Sequence, residues 1–437
     1  MHTIIHGDCL EELKKLDDNS VDAVVTDPPY GLSNTKPKQV ADVLAAWVTG
    51  ETEAVPAKRG GFMGKDWDSF VPPPAVWAEC LRVLKPGGHM AVFAGARTQD
   101  LMGLSIRLAG FEIRDTLGWI YGSGFPKSMD VSKAIDKAAG AEREVVGRTK
   151  TPFKVDAAAH RGTSLQGSVN GDFSKQVDEN GYRYTEHTAP ATSDAQRWDG
   201  WGTALKPAIE PIILARKPLD GTVANNVLAH GVGGLNIDAC RVPTDEIRVQ
   251  GSQASTGATP FGGAREGGKV YDKGRFPANV LLDEHAAKEM DKQSGVLKGR
   301  VGMTKHGSGT NSVYGTYGRS EQSLVNDGRA DSGGASRFFP VFKYQAKAPK
   351  RERPVLVRED GTKVQHPTVK PLALMEWLVT LITPEGGTIL DPFAGTGTTL
   401  QAATNKGFHP IGIEADADYI QLINTRLEGG EQSTRSN

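Results

Sequence analysis

The chain has 437 residues, more than one ordinary domain needs, so a catalytic body with a second module or a large insertion is expected. Its 51 Lys and Arg against 52 Asp and Glu leave a net charge of −1, so the global balance announces no polyanionic partner and any such contact must be local. No apolar run is long enough to cross a bilayer, and the start, Met1-His2-Thr3-Ile4, lacks the basic and then apolar segments of a secretory leader, so a cytoplasmic protein without a membrane partner is expected.

Cys9, Cys80 and Cys240 are too widely spaced for a disulfide framework or a zinc cage, and no metal is expected. From the start to about residue 120, short β-branched runs alternate with helical stretches, the pattern of a parallel sheet covered by helices. Strands are expected over 2–5, 21–26, 89–93 and 112–120, and helices over 9–16, 74–84 and 98–108, with a long polar loop before residue 74. Lys85-Pro86-Gly87-Gly88 has the chemistry of a turn. Residues 122–202, rich in Gly, Ser, Thr, Asp and Lys, read as a loop-rich insertion, after which 210–215 returns to strand character. From 219 to about 337 glycine is abundant and apolar runs such as Asn279-Val280-Leu281-Leu282 are short, so a separate irregular module is expected. Lys343, Lys347, Lys350, Arg351 and Arg353, interleaved with Phe338, Phe339, Phe342 and Tyr344, suit either a nucleic-acid surface or a solvated linker. The last hundred residues are α/β again: helices over 372–381, 398–406 and 417–427, strands over 388–390 and 409–413, and a polar tail from 428 that should fray.

Two segments carry chemistry. In Val24-Val25-Thr26-Asp27-Pro28-Pro29-Tyr30-Gly31 a buried strand runs into a carboxylate, two prolines and an aromatic ring. Prolines fix φ and remove backbone donors, so the loop presents acceptors rigidly. An aromatic amine is a poor nucleophile because its lone pair is delocalised into the ring. The Asp27 carboxylate and the Pro28 carbonyl can accept its hydrogens, draw it toward tetrahedral geometry and stabilise the developing cation, while Tyr30 stacks on the base. The bland alternative is a capping Asp before a Pro-rich turn. In the second segment, Thr388-Ile389-Leu390-Asp391-Pro392-Phe393-Ala394-Gly395-Thr396-Gly397-Thr398-Thr399 reads as strand, glycine turn and helix. Thr399 or Leu400 stands where a dinucleotide fingerprint places its later glycine, which counts against a nicotinamide enzyme. Glu414, ending the next strand, is placed to accept both ribose hydroxyls of an adenosyl cofactor. Asp8 can serve the adenine amine of such a cofactor or simply cap the helix from Cys9.

These motifs and their order resemble the β-type DNA amino-methyltransferases, the adenine-N6 and cytosine-N4 enzymes, with the catalytic motif first and the cofactor motif last. The matching segments are Gly7-Asp8-Cys9-Leu10, Asp27-Pro28-Pro29-Tyr30, Val83-Leu84-Lys85-Pro86-Gly87-Gly88, His366-Pro367-Thr368-Val369-Lys370-Pro371 and Asp391-Pro392-Phe393-Ala394-Gly395-Thr396-Gly397. The resemblance covers both ends of the chain and leaves the middle unassigned. It implies a Rossmann-like, circularly permuted α/β methyltransferase sheet with a large inserted recognition region. Residues 1–217 and 346–437 would form the two parts of the catalytic domain and 218–345 the target-recognition region, where Arg241, Arg248, Arg265, Lys269 and Arg275 are candidate DNA contacts.

The cofactor is then S-adenosyl-L-methionine, held by Asp8, Thr368, Lys370, Asp391, Pro392, Phe393, Ala394, Gly395, Thr396, Gly397 and Glu414, and the catalytic residues are Asp27, Pro28, Pro29 and Tyr30. If strands 388–390 and 21–26 are neighbours, the glycine turn and the Asp27 loop face one crevice at the switch point of the sheet. The reaction is direct in-line transfer to a flipped-out base of double-stranded DNA, with Trp119 either helping to hold the base or packed at the sheet edge. Asp at position 27 favours adenine N6 in this motif order, with cytosine N4 as the alternative. The intact Asp27–Tyr30 and Gly395–Gly397 segments count against a non-catalytic DNA-binding regulator, and the large insertions and motif order, which resemble the DNA enzymes, count against a methyltransferase of RNA or protein. A homodimer and a separate cognate restriction endonuclease are the further partners to look for.

Overall fold

The structure, a computed structural model, describes residues 2–33, 35–56, 68–122, 124, 128–154, 182–244, 248–249, 270–271, 274–298, 310–311, 315–316, 332–342, 355–358, 360–364 and 369–434. The chain forms two compact units, one of residues 1–58, 69–122 and 209–437 and one of residues 59–68 and 123–208.

A nine-stranded sheet organises the first unit. Its strands are β1 (Thr3–His6), β2 (Val21–Thr26), β3 (Leu84–Phe93), β4 (Glu112–Ile120), β5 (Ile209–Arg216), β6 (Val280–Asp283), β7 (Val341–Phe342), β8 (Thr388–Asp391) and β9 (His409–Glu414). They lie in the order β1-β9-β8-β2-β3-β5-β4-β6-β7. All neighbours are parallel except β5, which runs antiparallel to both β3 and β4. The expected neighbours meet: Ile389 pairs with Ala23 and Leu390 with Val24.

The central strands are apolar on both sides because helices cover both faces, as parallel sheets require. Met90, Val92, Ile213 and Ala215 face one core, with Trp77, Cys80 and Val83 of α3 (Pro74–Val83) and Met102 and Ile106 of α4 (Gln99–Leu108). Leu13 of α1 (Cys9–Leu13) and Trp47 of α2 (Pro37–Val48) join it. Ala91, Phe93, Ile212 and Leu214 face the other core, filled by Leu374, Leu378 and Ile382 of α9 (Leu372–Ile382) and Ala402 of α10 (Thr398–Asn405). Leu400 continues to Ile423 and Leu427 of α11 (Ala417–Thr434). Asp22 ties three strands at one end: it accepts from Lys85 Nζ at 2.6 Å and from the Thr388 N–H at 2.7 Å.

Several expectations change. The polar loop before residue 74 contains α2, and α11 continues past residue 427 to Thr434. The turn at 85–88 is a bulge inside β3: the ladder to β2 jumps from Leu84 to His89, with Gly87 at φ 75°. The described parts of 219–342 are not a separate module. They contain α7 (Val223–His230) and α8 (Glu284–Ser294), and β6 and β7 extend the main sheet from β4. Arg241 pairs with Asp238 at 2.9 Å, and buried Arg275 donates to the Arg337 carbonyl at 3.1 Å, so both are committed to local structure. Arg265, Lys269 and the basic residues between 343 and 353 lie outside the described residues.

In the second unit the stretch expected to be loop-rich contains α5 (Val131–Ala138), α6 (Ser193–Arg197) and an antiparallel pair, Val145–Lys154 with Tyr182–Thr188. Buried Asp136 centres it, pairing with Arg143 at 2.6 Å and accepting from the Ala191 and Thr192 N–H groups, each at 3.0 Å. Among the described residues no helix is long and apolar enough to cross a membrane.

Candidate active site

Parallel strands end on the same edge, so the loops after β1, β2, β8 and β9 gather at one side of the sheet. After β2 come Asp27, Pro28, Pro29 and Tyr30. Thr98 Oγ1 donates to the Tyr30 carbonyl at 2.6 Å, and Gly31 turns the chain away at φ 64°. A Cβ on Gly31 would lie 2.7 Å from the Val71 nitrogen, so only glycine fits this turn.

The Asp27 carboxylate is held from both sides. Tyr30 Oη donates to its Oδ1 at 2.8 Å, and Lys370 Nζ donates to its Oδ2 at 2.7 Å. Lys370 also lies 3.0 Å from Tyr30 Oη and 3.2 Å from Glu210 Oε2, with the rings of Phe93 and Tyr30 at 4.8 and 5.3 Å. Burial opposes the ammonium charge, yet the carboxylates of Asp27 and Glu210 outweigh it and hold the Lys370 pKa above its ordinary value. Burial, reinforced by the same two carboxylates, pushes the Tyr30 phenol well above its usual pKa, so it stays a donor.

The turn after β8 lies beside this loop because β8 and β2 are hydrogen-bonded neighbours. Thr26 Oγ1, at the end of β2, donates to Asp391 Oδ1 at 2.7 Å, and the Phe393 N–H donates to the same oxygen at 3.1 Å. Burial raises the Asp391 carboxyl to about 6 against these hydrogen bonds. Gly395 and Gly397 take φ values of 54° and 77°. Arg426 of α11 clamps the turn, donating from Nε to the Thr396 carbonyl at 2.7 Å. At the end of β9, Glu414 accepts from the Gly395 N–H through Oε2 and from the Asp416 N–H through Oε1, both at 2.8 Å. Burial lifts the Glu414 carboxyl to about 7 despite those bonds.

Asp8 follows β1, which pairs with β9, and its carboxylate caps α1 by accepting from the Leu10 and Glu11 N–H groups at 3.0 and 3.3 Å. Lys370, grouped by its motif with the cofactor residues, has its ammonium at Asp27. Thr368 lies outside the described residues. Trp119 is only 2% exposed and packs 6.0 Å from Phe342, which makes it a core residue. Sequence reasoning did not single out Glu210, Thr26, Thr98 or Arg426. Glu210 had one signal, a carboxylate just before the apolar run Ile212-Ile213-Leu214-Ala215.

Two carboxylates at the ends of adjacent parallel strands, around a turn of left-handed glycines, suit a ligand with hydroxyl donors and a positive charge. The acidic and aromatic cluster beside them suits an amine. The family model described as DNA methylase, of the N6/N4 methyltransferases, matches residues 21–160 and 170–425. The chain is 23% identical over 445 residues to the type II methyltransferase M.HindIII of Haemophilus influenzae, spanning 97% of this chain and 94% of that one. A local stretch of 69 residues is 42% identical to the type II methyltransferase M2.DpnII of Streptococcus pneumoniae, covering 16% of this chain and 26% of that one. The solved M1.HpyAVI–SAM complex aligns over 98% of this chain and 99% of its own, at 14% identity and a TM-score of 0.37. By the extent of the family match, the chain belongs to the N6/N4 DNA methylase family, whose methyl donor is S-adenosylmethionine.

Proposed function

We propose that this protein methylates N6 of adenine in double-stranded DNA, as the modification enzyme of a type II system. The observation that carries the reading is the rigid Asp27-Pro28-Pro29-Tyr30 loop standing next to the glycine turn on neighbouring strands. When bound, S-adenosylmethionine supplies a methyl group on a positively charged sulfur that leaves as a neutral thioether. Glu414 and Asp391 have the chemistry to hold it: carboxylates with lone pairs left over for hydroxyl and ammonium donors. Gly395 and Gly397 let the backbone approach closely, and Asp8 flanks the site from the end of β1.

Asp27 and the Pro28 carbonyl accept the hydrogens of the target amine, restoring its lone pair and stabilising the positive charge that nitrogen acquires. Asp27 then takes the proton the nitrogen loses. The ring of Tyr30 stacks on a base turned out of the duplex, and alignment supplies the rest of the rate. Asp rather than Ser at position 27 favours adenine over cytosine in this motif order. DNA recognition is assigned to residues 218–345, and the pairing with a separate endonuclease follows the type II naming of M.HindIII.

The test is to incubate the protein with S-adenosylmethionine and unmethylated DNA, digest to nucleosides and identify the products by mass spectrometry. N6-methyladenine is expected. N4-methylcytosine would overturn the base assignment alone, and no methylated nucleoside on several DNAs would overturn the enzyme reading.

A further inference from the structure

Lys370 presents its ammonium to three oxygens at once, 2.7 Å from Asp27, 3.0 Å from Tyr30 Oη and 3.2 Å from Glu210. In this arrangement each Asp27 oxygen already accepts one hydrogen bond, from Tyr30 on one side and from the Lys370 ammonium on the other, and the ammonium neutralises its charge. A carboxylate neutralised by an ammonium is a poor stabiliser of a second cation, because the two positive charges repel across a few ångströms in a site largely screened from water. An Asp27–Lys370 pair alone would therefore weaken the group that must face the reacting amine. Glu210 alters that balance. With two carboxylates and one ammonium the cluster carries one net negative charge, matched to the single positive charge that a methylated amine acquires before losing its proton.

Glu210 is built to stay in place. It sits at the start of β5, opposite Trp119 in the ladder to β4, and the next residue is Pro211, whose carbonyl accepts from the Ala94 N–H at 2.9 Å. The Glu210 side chain is about as exposed as that of Asp27, 27% against 23%, whereas that of Lys370 is 10% exposed. The Lys370 Nζ already lies 3.2 Å from Glu210 against 2.7 Å from Asp27, so a small shift trades one carboxylate for the other.

We propose that Glu210 is a positioning residue for methyl transfer, taking Lys370 from Asp27 as the target amine arrives so that the Asp27 carboxylate is left free for the reacting nitrogen. The inference rests on the reading of Asp27 as the acceptor of that amine. The bond-making step is unchanged: the carbon–nitrogen bond forms as the carbon–sulfur bond breaks, and the proton lost by nitrogen passes to Asp27. In this role Glu210 acts through the location of the ammonium; Tyr30 Oη also reaches its Oε2 at 3.5 Å, a contact that the amide oxygen of Glu210→Gln can keep. Lys370 stays protonated throughout, in keeping with the two carboxylates that hold its pKa up.

The experiment compares wild type, Glu210→Gln, Glu210→Asp, Lys370→Met and the double variant Glu210→Gln/Lys370→Met. Single-turnover methyl transfer on DNA is measured alongside equilibrium binding of S-adenosylmethionine and of DNA. Glu210→Gln has nearly the same shape as the native residue, and it should slow transfer about 10- to 100-fold with both affinities within about threefold of wild type. Glu210→Asp should recover part of the rate. In the Lys370→Met background the Glu210→Gln change should cost little further, because its effect runs through the ammonium. A Glu210→Gln rate within twofold of wild type, or losses that multiply in the double variant, would overturn the inference even where Asp27→Ala is inactive. A wild-type protein that forms no methylated nucleoside would overturn the underlying reading, and this inference with it.

Discussion

Burial raises Glu414 to about 7 and Asp391 to about 6, so the two carboxyls proposed to hold the cofactor take up protons near neutrality. A protonated carboxyl accepts hydroxyl hydrogens poorly, and it carries no charge to balance a sulfonium. Affinity for S-adenosylmethionine should therefore fall as pH drops through 7, becoming about tenfold weaker at pH 6 than at pH 8. Isothermal titration calorimetry would show this, and Glu414→Gln should bind weakly with a much flatter pH profile. Invariant affinity across that range would contradict the assignment of Glu414. The sequence shows Glu414 through its distance from the glycine turn, and Asp27 through the prolines that follow it. It does not show Glu210 or Arg426, because each reaches its partner across the fold: Glu210 across β3 to Lys370, and Arg426 from the last helix back to Thr396.

At the scale of elements, the two motifs are joined by one buried hydrogen bond, Thr26 to Asp391, between residues 365 positions apart. Thr26→Val keeps the shape but leaves Asp391 short of a donor, so it should cost about 1–3 kcal/mol in denaturant unfolding at pH 8. Gly397 begins α10 in the left-handed region, where a side chain costs about 1–2 kcal/mol, and an added Cβ would press on Ile423 at 3.0 Å. Gly397→Ala should lower stability by about that amount and weaken cofactor binding, read from the same unfolding curve and from calorimetry. Strand β2 is legible because its Val-rich run is bounded by turn chemistry. Helix α2 was hidden by polar neighbours and by Pro37, which here supplies its first turn.

At the scale of the molecule, a sheet order that sets β8 beside β2 brings the last motif of the chain to the first. That adjacency follows from the doubly wound pattern once both ends are recognised as α/β. The middle of the chain was not legible in the same way. Strands β6 and β7 are four and two residues long and set in glycine-rich surroundings; β6 pairs with β4, far back in the chain, and β7 with β6, so no local periodicity marks them as part of the sheet. If the cofactor binds at the proposed residues, which exist as a site only in the folded chain, binding should stabilise the whole unit: S-adenosylmethionine at a hundred times its Kd should add about 2.7 kcal/mol, seen as a raised melting temperature. An unchanged melting temperature at that concentration would contradict a site formed only in the folded protein.

The most direct test of the account is single-turnover methylation of DNA by protein saturated with S-adenosylmethionine, comparing wild type with Asp27→Ala. N6-methyladenine is expected from the wild type, and a rate about 100-fold lower or worse from the variant, with cofactor affinity within about twofold. A variant that methylates DNA at the wild-type rate would contradict the placing of the chemistry at Asp27.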